Sequence, residues 1–300
     1  AQKSKLAFAV GQDISGEPVY ADLDSMPHLL IAGQTKSGKS VMVNTLLTSL
    51  LYTNSRADVK LILVDPKFVE MEPYNDIPHL LTPVINDPEK CVSALKWAVA
   101  EMERRYKILK QEKVREIHAY NEKMPNEKMP YIVIVIDELA DLMQMAARDV
   151  EALIVRIAQK ARAVGIHLVL ATQSPRVTVI TGLIKANVPA RIAFTVSQEV
   201  ESRIILDQSG AEKLLGYGDM LFYTTDMPKP IRVQGSLITT EETNKVTDFL
   251  REQQQPTYDD EIVSMPVQFN GKGGLVPDTG PSNSEDSEFK DAVRVVVEGG

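Results

Sequence analysis

Short apolar runs alternate with stretches of helical spacing over most of the chain. Residues up to Met26 are mixed, with Gly11, Gly16 and Pro18 punctuating short apolar pairs, and read as an extended lead-in or a short hairpin. His28–Ala32 is an apolar run that stops at Gly33, and Val41, Val43, Leu46, Leu47, Leu50 and Leu51 follow at the spacing of a buried helix. This is strand, glycine loop, helix. The alternation then repeats. Val59–Val64 is a strand of branched residues ending at Asp65, about 88–114 is a long helix, and Tyr131–Ile136 is a third strand ending in Asp137 and Glu138. A helix over about 149–163 leads into a fourth strand, 167–171, which ends in Thr172 and Gln173. Further strands at 192–196, 220–223 and Ile231–Gly235 precede a closing helix near 241–253. Fully apolar strands separated by helices predict an α/β fold, a mostly parallel central sheet flanked by helices on both faces.

After residue 253 the pattern fades into Gln, Gly, Pro, Ser and Asp, a linker composition over 254–287. Phe289, Val293 and Val296 then recur at helical spacing in a last amphipathic stretch, 288–300, that reads as the truncated start of a further domain. The expected organisation is a lead-in over 1–26, one main α/β domain over 27–253, the linker over 254–287, and that final segment. With 300 residues, 44% hydrophobic and 25% charged, the chain is neither fibrous nor wholly disordered. No apolar run reaches the roughly 18 to 20 residues of a membrane crossing, and the first residues lack the layout of a signal peptide. One cysteine, Cys91, excludes an internal disulfide framework, so a soluble, cytoplasmic protein is expected. The formal charge of −8 is uneven: residues 253–300 carry nine acids and three bases. The global sign therefore decides little about nucleic acid, because a binding surface is a local field.

Chemistry concentrates at the strand ends. Gly33, Gln34, Thr35, Lys36, Ser37, Gly38, Lys39 and Ser40 satisfy the P-loop pattern in its required setting, after a strand and before a helix, with Val41 next in line. Loop amides and the positive helix end form a cradle for phosphate oxygens. Lys39 reaches the β and γ phosphates of ATP, and the Ser40 hydroxyl ligates Mg2+. Asp137, at the tip of a neighbouring strand, is the expected second holder of that metal, and Glu138 the base that activates the attacking water. Gln173, at another strand tip, is placed to sense the γ phosphate. Arg162 ends the helix before that strand and either pairs with the negative helix end or acts across a subunit boundary as an arginine finger. Met143 and Met145 read as packing, and the four histidines lack metal-ligand spacing.

Met26-Pro27-His28-Leu29-Leu30, Asp65-Pro66-Lys67, Ile77-Pro78-His79-Leu80-Leu81 and Asp137-Glu138-Leu139-Ala140-Asp141-Leu142 occur in that order, followed by Ile180-Thr181 with Gly182–Asn187, then Ser202-Arg203 and Gly218-Asp219-Met220-Leu221. Together they resemble the motor of the FtsK/SpoIIIE family of DNA translocases, from about residue 6 to 253. The resemblance implies a RecA-like P-loop NTPase, a homo-hexameric ring that threads double-stranded DNA using ATP in chromosome segregation at division. It implies that Arg162 is a finger acting in trans, that the family's membrane anchor lies elsewhere, and that 288–300 begins a DNA-reading winged-helix module. Arg176, Lys185 and Arg203 are the expected DNA contacts. Three positions depart from the family pattern: Lys36 stands where glycine is usual, Ser174 where arginine is usual, and Glu199 where lysine is frequent. These departures keep two other readings open, a related ring ATPase that moves protein substrates, as in secretion, and a nucleotide-binding scaffold of low turnover.

Overall fold

The computed structural model describes residues 4–265 and the backbone of two short paired segments, Phe269–Asn270 and Gly274–Leu275. The reading of 288–300 and most of the linker lie outside the described residues. In chain order the main elements are β1 (Ala7–Asp13), β2 (Pro18–Asp22), β3 (His28–Ala32), α1 (Lys39–Thr53), β4 (Val59–Val64), α2 (Pro88–Gln111), α3 (Ile117–Lys123) and β5 (Tyr131–Ile136). They continue with α4 (Leu139–Lys160), β6 (Ile166–Thr172), α5 (Gly182–Asn187), β7 (Ala190–Phe194), α6 (Glu199–Leu206), β8 (Asp219–Tyr223), β9 (Ile231–Gly235) and α7 (Thr240–Gln253).

Nine strands form one sheet in the order β2-β1-β9-β8-β7-β3-β6-β5-β4. The five strands from β7 to β4 are parallel, each reached through a helical crossover. Neighbours along one strand separate into two cores: Leu30, Ile62 and Ile134 pack under α2 and α4, while Leu29, Leu61 and Val133 pack under α1. That alternation is the physical meaning of a continuous apolar strand, since both faces are buried.

The other half, an extension of the expected parallel core, is antiparallel, so the nine-stranded sheet as a whole is mixed. β8 pairs antiparallel to β7, and β9 pairs antiparallel to β8 because the seven-residue link between those two is too short for a crossover. The first residues form a hairpin, β1 with β2, and β1 continues the sheet by pairing with β9 through Gly11 and Gly235. Helix α4 begins at Leu139, ten residues before the predicted start. Ala146 breaks its φ/ψ, and this kink hides the periodicity of the first turns. Among the described residues no helix is long and apolar enough to cross a membrane.

Two buried contacts tie down the edge where the parallel strands begin. Arg105 of α2, 2% exposed, donates to the carbonyls of Pro130 and Val164, just before β5 and β6, and to Glu101. His28 and His167 lie side by side on β3 and β6: Leu168 N–H donates to His28 Nδ1 at 3.0 Å, and His167 Nδ1 sits 2.9 Å from the Pro27 carbonyl. A carbonyl only accepts, so His167 carries its proton on Nδ1. Burial pushes His28 down to about 3 and His167 to about 4, and it lowers His79 too.

The unfolded chain protonates these rings below about pH 6.5 while the folded chain does not. Their contribution is therefore complete above that value and is lost as the pH falls towards 4 and then 3. Urea unfolding at pH 7 and pH 5 is expected to differ by about 2 kcal/mol for each of His28 and His167. A His167→Gln variant should show a visibly flatter slope over the same interval; a slope equal to that of the parent protein removes His167 as a source of the pH dependence.

Candidate active site

β3 delivers the chain into a tight loop, residues 33–38, and α1 starts immediately after it. Gly38 adopts φ +119, and a Cβ there would stand 2.7 Å from Gly218 Cα, so glycine is required on two counts. The contact is reinforced by Gly218 N–H, which donates to the Ser37 carbonyl at 2.9 Å. The first amides of α1, from Lys39 to Val41, have no intrahelical acceptor and lie at the positive end of the helix. These three residues border a cavity of about 430 Å3, within the usual range of small-molecule sites.

Lys39 does not reach into solvent. Its side chain is 2% exposed, and Nζ donates to Asp137 Oδ1 at 2.6 Å and to the Asp137 carbonyl at 2.7 Å. Burial raises the Asp137 carboxyl above its ordinary value, with the Lys39 ammonium pulling the other way. Asp65, fully buried at the tip of β4, accepts the amides of Val69, Glu70 and Met71 on one oxygen and so knits the loop beside Asp137.

Glu138 is buried and held by three donors: Thr172 Oγ1 and Ala140 N–H on Oε1, and Gln173 N–H on Oε2 at 2.9 Å. Its bond to Ala140 also caps α4. Strand β6 lies between β3 and β5 in the sheet, which is why its tip, Thr172 and Gln173, separates the phosphate loop from the acids. Gln173 joins the two sides, since its side-chain oxygen accepts from Thr35 Oγ1 at 3.1 Å. Lys39, Asp137, Glu138, Gln173 and Thr35 thus converge at one edge of the sheet. Ser40, Gln34 and Lys36 line the cavity, with Lys36 exposed at φ +64, a left-handed conformation suited to glycine.

Arg162 is elsewhere. It precedes β6, at the opposite edge of the sheet, and the length of that strand puts it roughly 20 Å from Gln173. Its side chain is exposed. Of the expected DNA contacts, Arg176 is exposed beyond the tip of β6. Lys185 forms an ion pair with Asp207, which also holds Arg191, and Arg203 pairs with Glu199 one helical turn earlier. Glu199 therefore matters through the cation it binds as well as through the lysine it replaces. Sequence reasoning assigned no role to Thr172, Asp65 or Gly218. A polar residue ending an apolar strand is a usable signal for the first two, whereas nothing local places Gly218 against a loop 180 residues earlier.

The FtsK/SpoIIIE family profile matches residues 1–177, more than half of the chain. The chain belongs to the FtsK/SpoIIIE family. It is 52% identical over 302 residues to the DNA translocase FtsK of Clostridium tetani (strain Massachusetts / E88), covering 98% of this chain and 39% of that protein. The chain thus spans well under half the length of this curated relative. Among solved structures, the conjugation coupling protein TcpA of pCW3, determined with ATPγS, superposes with a TM-score of 0.72 at 30% identity, covering 83% of this chain and 71% of TcpA. The cytoplasmic domain of the Thermomonospora curvata type VII secretion ATPase EccC gives 0.75 at 25% identity, over 89% of this chain and 33% of EccC. The fold is that of P-loop ATPase motor domains.

The buried Lys39–Asp137 pair is testable without any ligand. Lys39→Ala leaves a buried carboxylate alone and is expected to cost about 3 kcal/mol in urea unfolding, and adding Asp137→Asn should recover most of that loss. Strictly additive losses in the double variant refute the coupling.

Proposed function

We propose that this chain is the ATP-hydrolysing motor of a double-stranded DNA translocase, acting in the cytoplasm as a homo-hexameric ring and serving chromosome segregation at cell division. The observation that carries the proposal is Glu138, a carboxylate fixed by three donors beside the Lys39–Asp137 pair and the phosphate loop. An ionised carboxylate has about four acceptor sites. The remaining one suits a water proton, so Glu138 acts as general base while Thr172 and Gln173 fix its aim.

The amides from Lys39 to Val41 bind the phosphates of ATP, and the Lys39 ammonium trades the Asp137 oxygen for phosphate oxygens. Among the described residues no cluster of three or more His, Cys, Asp or Glu is placed to hold a metal alone. Ser40 and Asp137 are a donor set that fits Mg2+ arriving with the phosphates, where it would neutralise their charge. Gln173, bonded to both Thr35 and Glu138, is set to register whether a γ phosphate is present. Arg162, at the far edge, cannot reach its own cavity; exposed there, it serves as a finger in the site of a neighbouring protomer.

The assignment to DNA rests on 52% identity to a protein named as a DNA translocase, against 25% to the secretion ATPase. Paired cations do not oppose it. Asp207 and Glu199 are themselves more than half exposed, and surface ion pairs of that kind are worth only about 0 to 1 kcal/mol. Exchanging such a carboxylate for a DNA phosphate therefore costs little, and the resulting contact is salt-dependent and blind to base sequence.

Linear duplex DNA at low salt is expected to raise the ATPase rate several-fold, and Glu138→Gln should retain ATP binding while losing at least about 100-fold in turnover. A rate indifferent to duplex DNA overturns the DNA assignment. Arg162→Ala should also be nearly inactive by itself, yet mixing it with Glu138→Gln protomers should restore measurable turnover, because one supplies the intact pocket and the other the finger. If the mixture stays as inactive as its parts, Arg162 does not act in trans.

A further inference from the structure

Neighbouring residues of the phosphate loop reach in opposite directions. β3 lies between β6 and β7 in the sheet, and the loop that follows it is tied to the tips of both. On the β6 side, Gly33 N–H donates to the Thr172 carbonyl and Thr35 Oγ1 to Gln173, the flank that leads to Glu138. On the β7 side, Gln34 N–H donates to the Thr195 carbonyl at 3.0 Å, and Gln34 Oε1 accepts from Ser197 Oγ at 2.9 Å. Glu138 and its donors belong to the first flank; the second leads to α6.

Ser197 opens that helix. Glu201 accepts its N–H at 2.9 Å and that of Gln198 at 3.0 Å, a capping arrangement that makes Ser197 and the first turn of α6 one piece. The far end is tied as well. Ser202, fully buried, donates to the Gln208 carbonyl and accepts from Ala211 N–H, while Asp207, at φ +62, binds both Arg191 of β7 and Lys185 of α5. Helix α6 carries Arg203, and the residue that ends it holds Lys185. Two of the three expected DNA contacts thus belong to one body whose leading residue touches the phosphate loop.

Gln34 is suited to pass a signal across that contact. It lines the phosphate cavity, and with Oε1 on Ser197 its Nε2 keeps two donors for which no acceptor stands within bonding distance among the described residues. The amide is planar, so an anion that draws Nε2 turns Oε1 with it and disturbs the Ser197 bond. Both side chains are exposed, and the bond is readily broken and remade. We propose that the Gln34–Ser197 contact couples the phosphate loop to α6, with Ser197 the positioning residue through which the nucleotide and DNA sites sense each other. The inference rests on the ATP and DNA readings above. Such coupling is reciprocal, and a single hydrogen bond of this kind sets it at about 5-fold.

The test measures ATP turnover of the full chain with and without saturating linear duplex DNA at low salt. Ser197→Ala should keep the DNA-free rate and the duplex affinity of the parent protein while losing most of the stimulation, about 5-fold, and Ser197→Thr, which restores the hydroxyl, should behave as the parent. Gln34→Ala should lose stimulation too, whatever it does to the DNA-free rate, and the double variant with Ser197→Ala should lose no more stimulation than either single one. The coupling is overturned, while the nucleotide and DNA readings stand, if Ser197→Ala is stimulated like the parent, if its DNA-free and stimulated rates fall together, if Ser197→Thr fails as alanine does, or if the losses add in the double variant. A parent protein that duplex DNA does not stimulate overturns the DNA assignment and this inference with it.

Discussion

A buried ammonium needs an anion, and in this chain Asp137 supplies it. Lys39 and Asp137 are 2% and 7% exposed at their side chains, and neither is stable there alone, because a lone buried charge carries a large desolvation cost. The pair closes the phosphate loop onto the tip of β5. On the proposed reading it also couples nucleotide binding to this pair, since a phosphate drawn to the Lys39 ammonium competes with the Asp137 oxygen. In the proposed mechanism the Asp137 carboxylate, relieved of part of that contact, would join Ser40 in holding the divalent cation that arrives with the phosphates. One contact then ties loop closure to the proposed metal site and to ligand entry.

The position of β6 determines what that exchange reaches. Had β5 lain directly beside β3, the acids would face the loop with nothing between them. With β6 inserted, Thr172 and Gln173 stand at the centre, bonded to Glu138 on one side and Thr35 on the other. The same strand begins four residues after Arg162 and next to the carbonyls clamped by Arg105. A single strand thus has the groups that hold Glu138 at one end and the exposed Arg162 just before the other. In the ring proposed above, where one protomer's far edge would meet the next protomer's pocket, that strand would be the shortest mechanical link between consecutive sites.

The parallel half of the sheet and the phosphate loop were legible in the sequence because their signals are local. A glycine loop between an apolar run and a helical repeat, and an apolar run ending in Asp137 and Glu138, carry their meaning within ten residues. The antiparallel half was not legible as such. β8 and β9 look like buried parallel strands, and only the short turn between them reveals the reversal. Likewise nothing in the first 22 residues specifies that β1 pairs with β9, 220 residues later. Cations misled for a related reason: Lys185 and Arg203 read as free charges, whereas Asp207 and Glu199 neutralise them through tertiary and helical proximity. Helix α4 was half visible, its start concealed by the kink at Ala146.

Those ion pairs bear on how a net acidic chain engages a polyanion. The formal charge of −8 includes the strongly acidic last 48 residues, and two of the three expected DNA contacts, Lys185 and Arg203, are already paired with carboxylates. A surface of matched, exposed pairs neither attracts nor repels DNA strongly at a distance, yet each carboxylate can be displaced at contact for about 1 kcal/mol or less. If the chain engages DNA as proposed, such a surface would bind weakly at any one protomer and gain strength when several protomers present it to the same duplex, as effective concentration multiplies the separate contacts. Weak single contacts are also what a motor requires. In the ring proposed above, a protomer that held its phosphates tightly could not release them within one ATP cycle, whereas several loose grips would keep hold while each let go in turn.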